Sequence, residues 1–134
     1  KNRTKNVQGD KDELFQVLQN LLENAIRYGG EKCEVIISLR QAETRPANLP
    51  KNSWPAVCIE VSDNGPGIDK IHLGRLTERF YIVDTSRSKE IGGTGLGLAI
   101  VKHIVNRHRG CLVIESEPSI GSKFSVYLRE YKTK

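Results

Sequence analysis

Residues 92–100 read GGTGLGLAI, four glycines within six positions and then an abruptly apolar run. A glycine-rich entrance to a helix suits phosphate: without a Cβ the backbone comes close to an anion, and the helix start offers unpaired N–H groups and a favourable dipole. The P-loop pattern is excluded, because no Gly-Lys-Ser/Thr occurs anywhere in the chain. The dinucleotide fingerprint fails as well. Leu98 stands where its last glycine belongs, and residues 84–92 are too polar to be the strand that should precede it. What remains is Gly93-x-Gly95-x-Gly97 leading straight into a helix, open to two readings, a phosphate cradle or a flexible hinge.

Two other stretches bear on that choice. DNGPGI (63–68) lies where a strand runs out, with Gly65 and Gly67 permitting a tight turn and Asp63 presenting an acceptor at the strand end. A carboxylate there can accept from an exocyclic amine, which adenine carries and guanine lacks at that edge. Taken alone, Asp-Asn-Gly is also an ordinary turn. NLLENAIRY (20–28) places Asn20 and Asn24 one helical turn apart on one face. Amide oxygens are suitable ligands for a hard cation such as Mg²⁺, and Arg27 and Tyr28 follow where a cation could meet phosphate oxygens. Each piece is also compatible with an ordinary surface.

The rest of the chain supplies a scaffold. At 134 residues, 37% hydrophobic and 28% charged, it is sized for one soluble domain with a real core. The absence of an initiating methionine reads as a fragment of something longer. The net charge of +5 comes from scattered Lys and Arg with no interleaved aromatics, which argues for a basic surface rather than a nucleic-acid binder. Cys33, Cys58 and Cys111 are odd in number, far apart and set in apolar stretches, so they read as buried thiols in a reducing compartment.

Leu14, Val17, Leu18, Leu21, Leu22, Ala25 and Ile26 recur at helical spacing over residues 10–30, with Asp10 or Asp12 as cap and Gly29-Gly30 as stop. CEVIISLR (33–40) and AVCIEVSD (56–63) read as strands joined by a polar, proline-punctuated hairpin loop expected to be mobile. A short helix is expected around KIHLGRLTERF. A longer one follows in GLGLAIVKHIVNRHRG, with Leu96, Ala99, Ile100, Ile104 and Val105 as its apolar face and Gly110 as its end. CLVIES and SKFSVYL close the chain as strands around the turn EPSIG.

With these residues in order, the chain resembles the ATP-binding catalytic domain of bacterial sensor histidine kinases, in the superfamily shared with gyrase, heat-shock chaperone and mismatch-repair ATPases. NLLENAIRY resembles the N box, DNGPGI the G1 box, ERFY the F box and GGTGLGLAIVKHI the G2 box, while GSKFSVYL resembles the closing hairpin. The wording of the later boxes is most similar to the phosphate-regulon sensor kinases. The resemblance spans nearly the whole chain, taken as one catalytic domain over 1–134 without its dimerisation and phosphoacceptor domain. It implies a two-layer α/β sandwich (the Bergerat fold): a mixed β-sheet covered on one face by about three helices, with a mobile ATP lid from roughly Asp69 to Gly93.

The resemblance also implies roles. Asp63 contacts the adenine amine, with Gly65, Gly67 and Ile68 beside the base and Ser122 in the place of a threonine that helps hold it. Asn24 ligates Mg²⁺ with Asn20 close by, and Arg27 and Tyr28 touch phosphate or ribose. Phe80 anchors the lid, and Gly93, Thr94, Gly95, Leu96, Gly97 and Leu98 line the phosphates. One departure stands out: the F box commonly reads R-F-Y-R, and here Ile82 follows Arg79-Phe80-Tyr81. Arg79 and Arg87 are the candidates to replace the missing charge, beside Asn24 and Arg27 in the catalytic set.

The implied activity is ATP–Mg²⁺ binding with donation of the γ-phosphoryl group to a histidine on a separate helical domain. His72, His103 and His108 do not sit in an acceptor motif and read as solvated or structural. Ile82 motivates an alternative, a nucleotide-binding module without efficient transfer. A gyrase-type ATPase would have only Glu23 as its base. The implied partners are the chain's own upstream domain and a response-regulator receiver domain, not nucleic acid. The implied setting is the cytoplasmic part of a homodimeric protein anchored in the bacterial inner membrane, with the fragment itself a monomer.

Overall fold

The computed structural model describes residues 7, 9–29, 33–78 and 97–131. Helix α1 (Lys11–Gly29) begins where predicted, and Asp10 rather than Asp12 is its cap: Asp10 Oδ1 accepts from the backbone N–H groups of Asp12 at 2.9 Å and Glu13 at 3.1 Å. Asp12 and Glu13 in the first turn and Arg27 in the last complement the helix dipole. Val17, Leu21 and Ala25, each four residues apart, form the buried stripe. Ile26 does not join it. It is 68% exposed, because a stripe centred on Leu21 leaves the next position facing outward.

Strand β1 (Val35–Gln41) pairs antiparallel with β2 (Ala56–Asp63). After β2 come a single helical turn α2 (Lys70–Leu73), helix α3 (Gly97–Arg107) and the hairpin of β3 (Cys111–Glu117) and β4 (Gly121–Arg129). The strand order is β1-β2-β4-β3. The two-layer α/β architecture implied by the resemblance is what the chain forms. The mixed sheet is corrected, since every strand pair described is antiparallel. The helical crossover returns β3 parallel to β2, but the β3–β4 hairpin folds β4 between them, so the two parallel strands never touch.

Alternation along the strands sorts the side chains between two cores. Val61 of β2, Phe124, Val126 and Leu128 of β4, and the partly buried Leu112 and Ile114 of β3 pack under Val17, Leu21 and Ala25 of α1 and Leu98, Val101, Ile104 and Val105 of α3. The apolar face predicted for α3 is rotated. Leu98 and Val101 are buried where Ala99 and Ile100 were expected, because α3 must meet both the sheet and α1. Arg107 pairs with Glu13, tying the end of α3 to the start of α1.

On the opposite sheet face a second cluster joins Ala56, Cys58 and Cys111 to Ala42 and Leu49. The last two belong to the linker predicted as a mobile loop, which is seated instead. Leu49 is buried, Arg45 donates to the Leu49 carbonyl at 2.7 Å, and the buried Ser53 donates to the Arg109 carbonyl at 2.6 Å. Two small apolar residues in a polar stretch carry too little periodicity to announce this packing. No helix among the described residues is long and apolar enough to cross a membrane.

Candidate functional site

The end of β2 carries the candidate site. Asp63 is paired in register with Ser122 of β4, and Ser122 with Ser116 of β3. Asp63 follows Val61, Ser122 precedes Phe124 and Ser116 follows Ile114, each at a step of two, so all three share the face on which the helices lie. A polar row thus replaces the apolar core at this end of the sheet. A depression of about 340 Å³ at this end of the sheet takes in Ser62, Glu115 and Lys123, one position off the row and so on the reverse face, as well as Asp63, Ser116 and Ser122.

The turn after Asp63 is held from several sides. Asp63 Oδ1 accepts the Gly65 N–H at 3.0 Å. Asn64 Oδ1 accepts the Glu34 N–H at 2.7 Å, and Pro66 accepts the Ser119 N–H at 2.7 Å. The Ile68 N–H donates to Ser116 Oγ at 2.7 Å. Gly67 has φ +76°, and a Cβ there would run into the Glu117 carbonyl, so glycine is required both by conformation and by close approach. The turn is thus braced from several sides, and among the described residues none of these contacts uses the second carboxylate oxygen of Asp63.

Facing this turn are the helices. Ile68 and Leu98 are buried in the same core as Leu21 and Ala25, which brings the predicted base-side residues and the entrance of α3 into one cluster with α1. Asn20 Nδ2 donates to the Gly97 carbonyl over a long 3.4 Å, joining the two helices at the predicted cradle. Asn24 and Arg27 are half-buried on α1, one and two turns beyond Asn20. Glu23 is exposed.

The structure therefore assembles Asp63, Gly65, Gly67, Ile68 and Ser122, and joins Asn20 to Gly97 beside Leu98. Arg79, Phe80, Arg87, Gly93, Thr94, Gly95 and Leu96 lie outside the described residues, as do Ile82, the side chain of Tyr28 and most of the predicted lid. His108 is structural, as expected: its ring contacts the Asp10 N–H through Nε2 at 3.0 Å and the Ile104 carbonyl through Nδ1 at 2.8 Å. No group of His, Cys, Asp and Glu able to hold a metal occurs among the described residues. An amide oxygen such as that of Asn24, completed by water and phosphate oxygens, is chemistry that suits Mg²⁺ without such a group.

Sequence reasoning missed Ser116. Its signal was a serine on the core-facing phase of an otherwise apolar strand, Leu112-x-Ile114-x-Ser116. The shifted titrations gather elsewhere, on the opposite face. Burial pushes the Cys111 thiol up to about 11, and it also raises Cys58 and Tyr127 above their ordinary values. Both buried thiols are therefore protonated at neutral pH, while Cys33 is only half-buried.

Comparison with known proteins places these features. Residues 9–132 match the family model described as "Histidine kinase-, DNA gyrase B-, and HSP90-like ATPase". The phosphate regulon sensor protein PhoR of Pseudomonas aeruginosa is 44% identical over 121 residues, covering 90% of this chain and 25% of that protein. The sensor-like histidine kinase SenX3 of Mycolicibacterium smegmatis is 42% identical over 125 residues, covering 93% and 30%. The chain thus spans about a quarter to a third of the length of these curated relatives. Among solved structures, the mycobacterial sensor histidine kinase MprB superposes with a TM-score of 0.78 at 28% identity, covering 96% of this chain and 80% of that one. The catalytic domain of histidine kinase ThkA superposes with a TM-score of 0.69 at 27% identity, covering 91% and 70%.

Proposed function

The chain belongs to the histidine kinase-, DNA gyrase B- and HSP90-like ATPase family, in its sensor-kinase branch, and from that premise we propose that it binds ATP with Mg²⁺ and donates the γ-phosphoryl group to a histidine on a separate helical domain. The observation that carries this reading is the row at the end of β2. Asp63 opens a turn held by Gly67, Asn64 and Ile68, and Ile68 shares a buried core with Leu98 of α3.

In this reading Asp63 receives the exocyclic amine of adenine and Ile68 packs against the base. The entrance of α3 at Gly97 turns backbone N–H groups toward the phosphates, where the helix dipole favours negative charge. Asn24 holds Mg²⁺, which when bound neutralises phosphate charge. Arg27, on the same helix, adds a fixed positive charge at the phosphate end. Positioning of this kind is most of what phosphoryl transfer asks of a protein. Arg79, Arg87, Tyr28, Phe80 and residues 93–96 complete the proposed set. The acceptor histidine, a response-regulator partner, a homodimeric whole protein and its anchoring in the inner membrane all belong to this proposal.

Calorimetric titration with a non-hydrolysable ATP analogue tests it. Asp63→Asn, which places an amide donor where the amine must be received, should weaken binding by about 100-fold, the worth of a charged hydrogen bond lost in a desolvated site. Unchanged affinity in that variant rules out the adenine assignment. A second reading, nucleotide binding without efficient transfer, is favoured by Ile82 in place of the usual arginine. Labelled phosphate appearing on a supplied histidine-bearing helical domain would exclude it.

A further inference from the structure

Hydroxyl protons in the row Asp63–Ser122–Ser116 can be counted, and the count sets what Ser122 offers a ligand. A serine hydroxyl has one proton to give and two lone pairs with which to accept. Three groups meet Ser116 Oγ: the Ile68 N–H at 2.7 Å, Ser122 Oγ at 2.8 Å and the Gly121 carbonyl at 3.1 Å. The amide can only donate and the carbonyl can only accept. One assignment satisfies all three contacts: Ser116 gives its proton to Gly121 and accepts from both Ile68 and Ser122. Ser122, only 7% exposed, has then spent its single proton and keeps lone pairs alone. Its neighbour across the β2–β4 register, Asp63, has committed Oδ1 to the Gly65 N–H and likewise has only acceptor capacity left.

We infer that Ser116 is a positioning residue for base selection, holding Ser122 as an acceptor so that Asp63 and Ser122 together take an exocyclic amino group and reject a keto oxygen. The inference rests on the nucleotide reading above and adds the source of its selectivity. An amino group brings two N–H donors to two acceptors. A keto oxygen in the same place would bring a third acceptor and no proton, leaving buried lone pairs unmatched. If Ser116 loses its hydroxyl, Ser122 regains a free proton and can turn to donate. The predicted defect is therefore a loss of discrimination between bases rather than a uniform weakening.

The test is titration of the chain with the imido analogues of ATP and GTP in parallel. The unaltered chain should prefer the adenine analogue, and Ser116→Ala should lower the adenine-over-guanine ratio by about tenfold, one hydrogen bond's worth. Ser116→Thr, which keeps the hydroxyl, should restore it. Ser122→Ala should also lower the ratio, and adding Ser116→Ala to it should lower the ratio no further, because the first residue acts through the second. A Ser116→Ala protein with an unchanged denaturation midpoint and an unchanged ratio overturns the proposal. Should that variant not fold, an unchanged ratio in Ser122→Ala overturns it equally. Failure of the unaltered chain to bind either analogue overturns the nucleotide reading and this inference together; adenine-selective binding that survives both serine changes overturns this inference alone.

Discussion

Two rows of three residues cross the same three strands. Asp63, Ser122 and Ser116 form one, and Cys58, Tyr127 and Cys111 the other, set five positions away along β2, β4 and β3 alike. Five is odd, so the rows lie on opposite faces, roughly 17 Å apart along the strands. The first row spends its hydrogen-bonding capacity on shaping a turn and leaves acceptors over. The second is sealed by Leu49 and Ala42, and its burial drives thiols and phenol toward their neutral forms. The contrast is one of burden: in the proposed reading the strand ends facing the helices carry recognition, while the reverse face at the other end supplies buried packing.

Changes in the second row should move stability and leave the nucleotide affinity of the folded protein alone. Leu49→Ala should cost about 3 kcal/mol, the usual toll of a large-to-small change in a packed core, read from denaturant unfolding. If it also weakened binding of the ATP analogue by the folded protein, the separation of the two ends would be broken.

A smaller effect is expected from pH. The unfolded Cys111 titrates near 9 and the folded one near 11. A raised thiol pKa means the native state holds its proton longer, so this contribution is fully present below pH 9 and is lost as pH rises through 11. The loss should approach ~2 kcal/mol by pH 11. Cys111→Ala should flatten the unfolding free energy across that window; an equal slope with and without the thiol would show that burial there is incomplete.

Smallest is Ser53→Ala, which strands the Arg109 carbonyl that Ser53 now satisfies at 2.6 Å. About 1 kcal/mol of stability should go, again with the ATP-analogue affinity unchanged. A loss near zero would mean the 42–55 linker is held by its apolar packing and its other hydrogen bonds, and would sharpen the account of how the second core closes.

Much of this architecture was legible without coordinates. β2 begins and ends where its alternation predicts, α1 follows its apolar repeat to within a residue, and Asp63 falls at the strand end as its motif requires. Within the helices the errors were errors of facing. Ile26 and Ile100 are as apolar as their neighbours, and only the angle at which α1 and α3 meet the sheet decides that they lie outside the packed stripe. Ser116 carries only the faint signal of a serine on a core-facing phase, which says nothing of its partners until its neighbours across the sheet are known.

Local order therefore belonged to the sequence: which segments are helix or strand, and which glycines, asparagines and carboxylates stand at their ends, follow from periodicity and from the conformations each residue permits. Tertiary structure alone decided three further things. It placed β4 between β2 and β3, seated a polar linker on the reverse face of the sheet, and brought Ser116 against Ile68 and Ser122. The physical reason is that pairing across a sheet and burial between layers depend on residues dozens of positions apart, and no local pattern encodes which of them will meet.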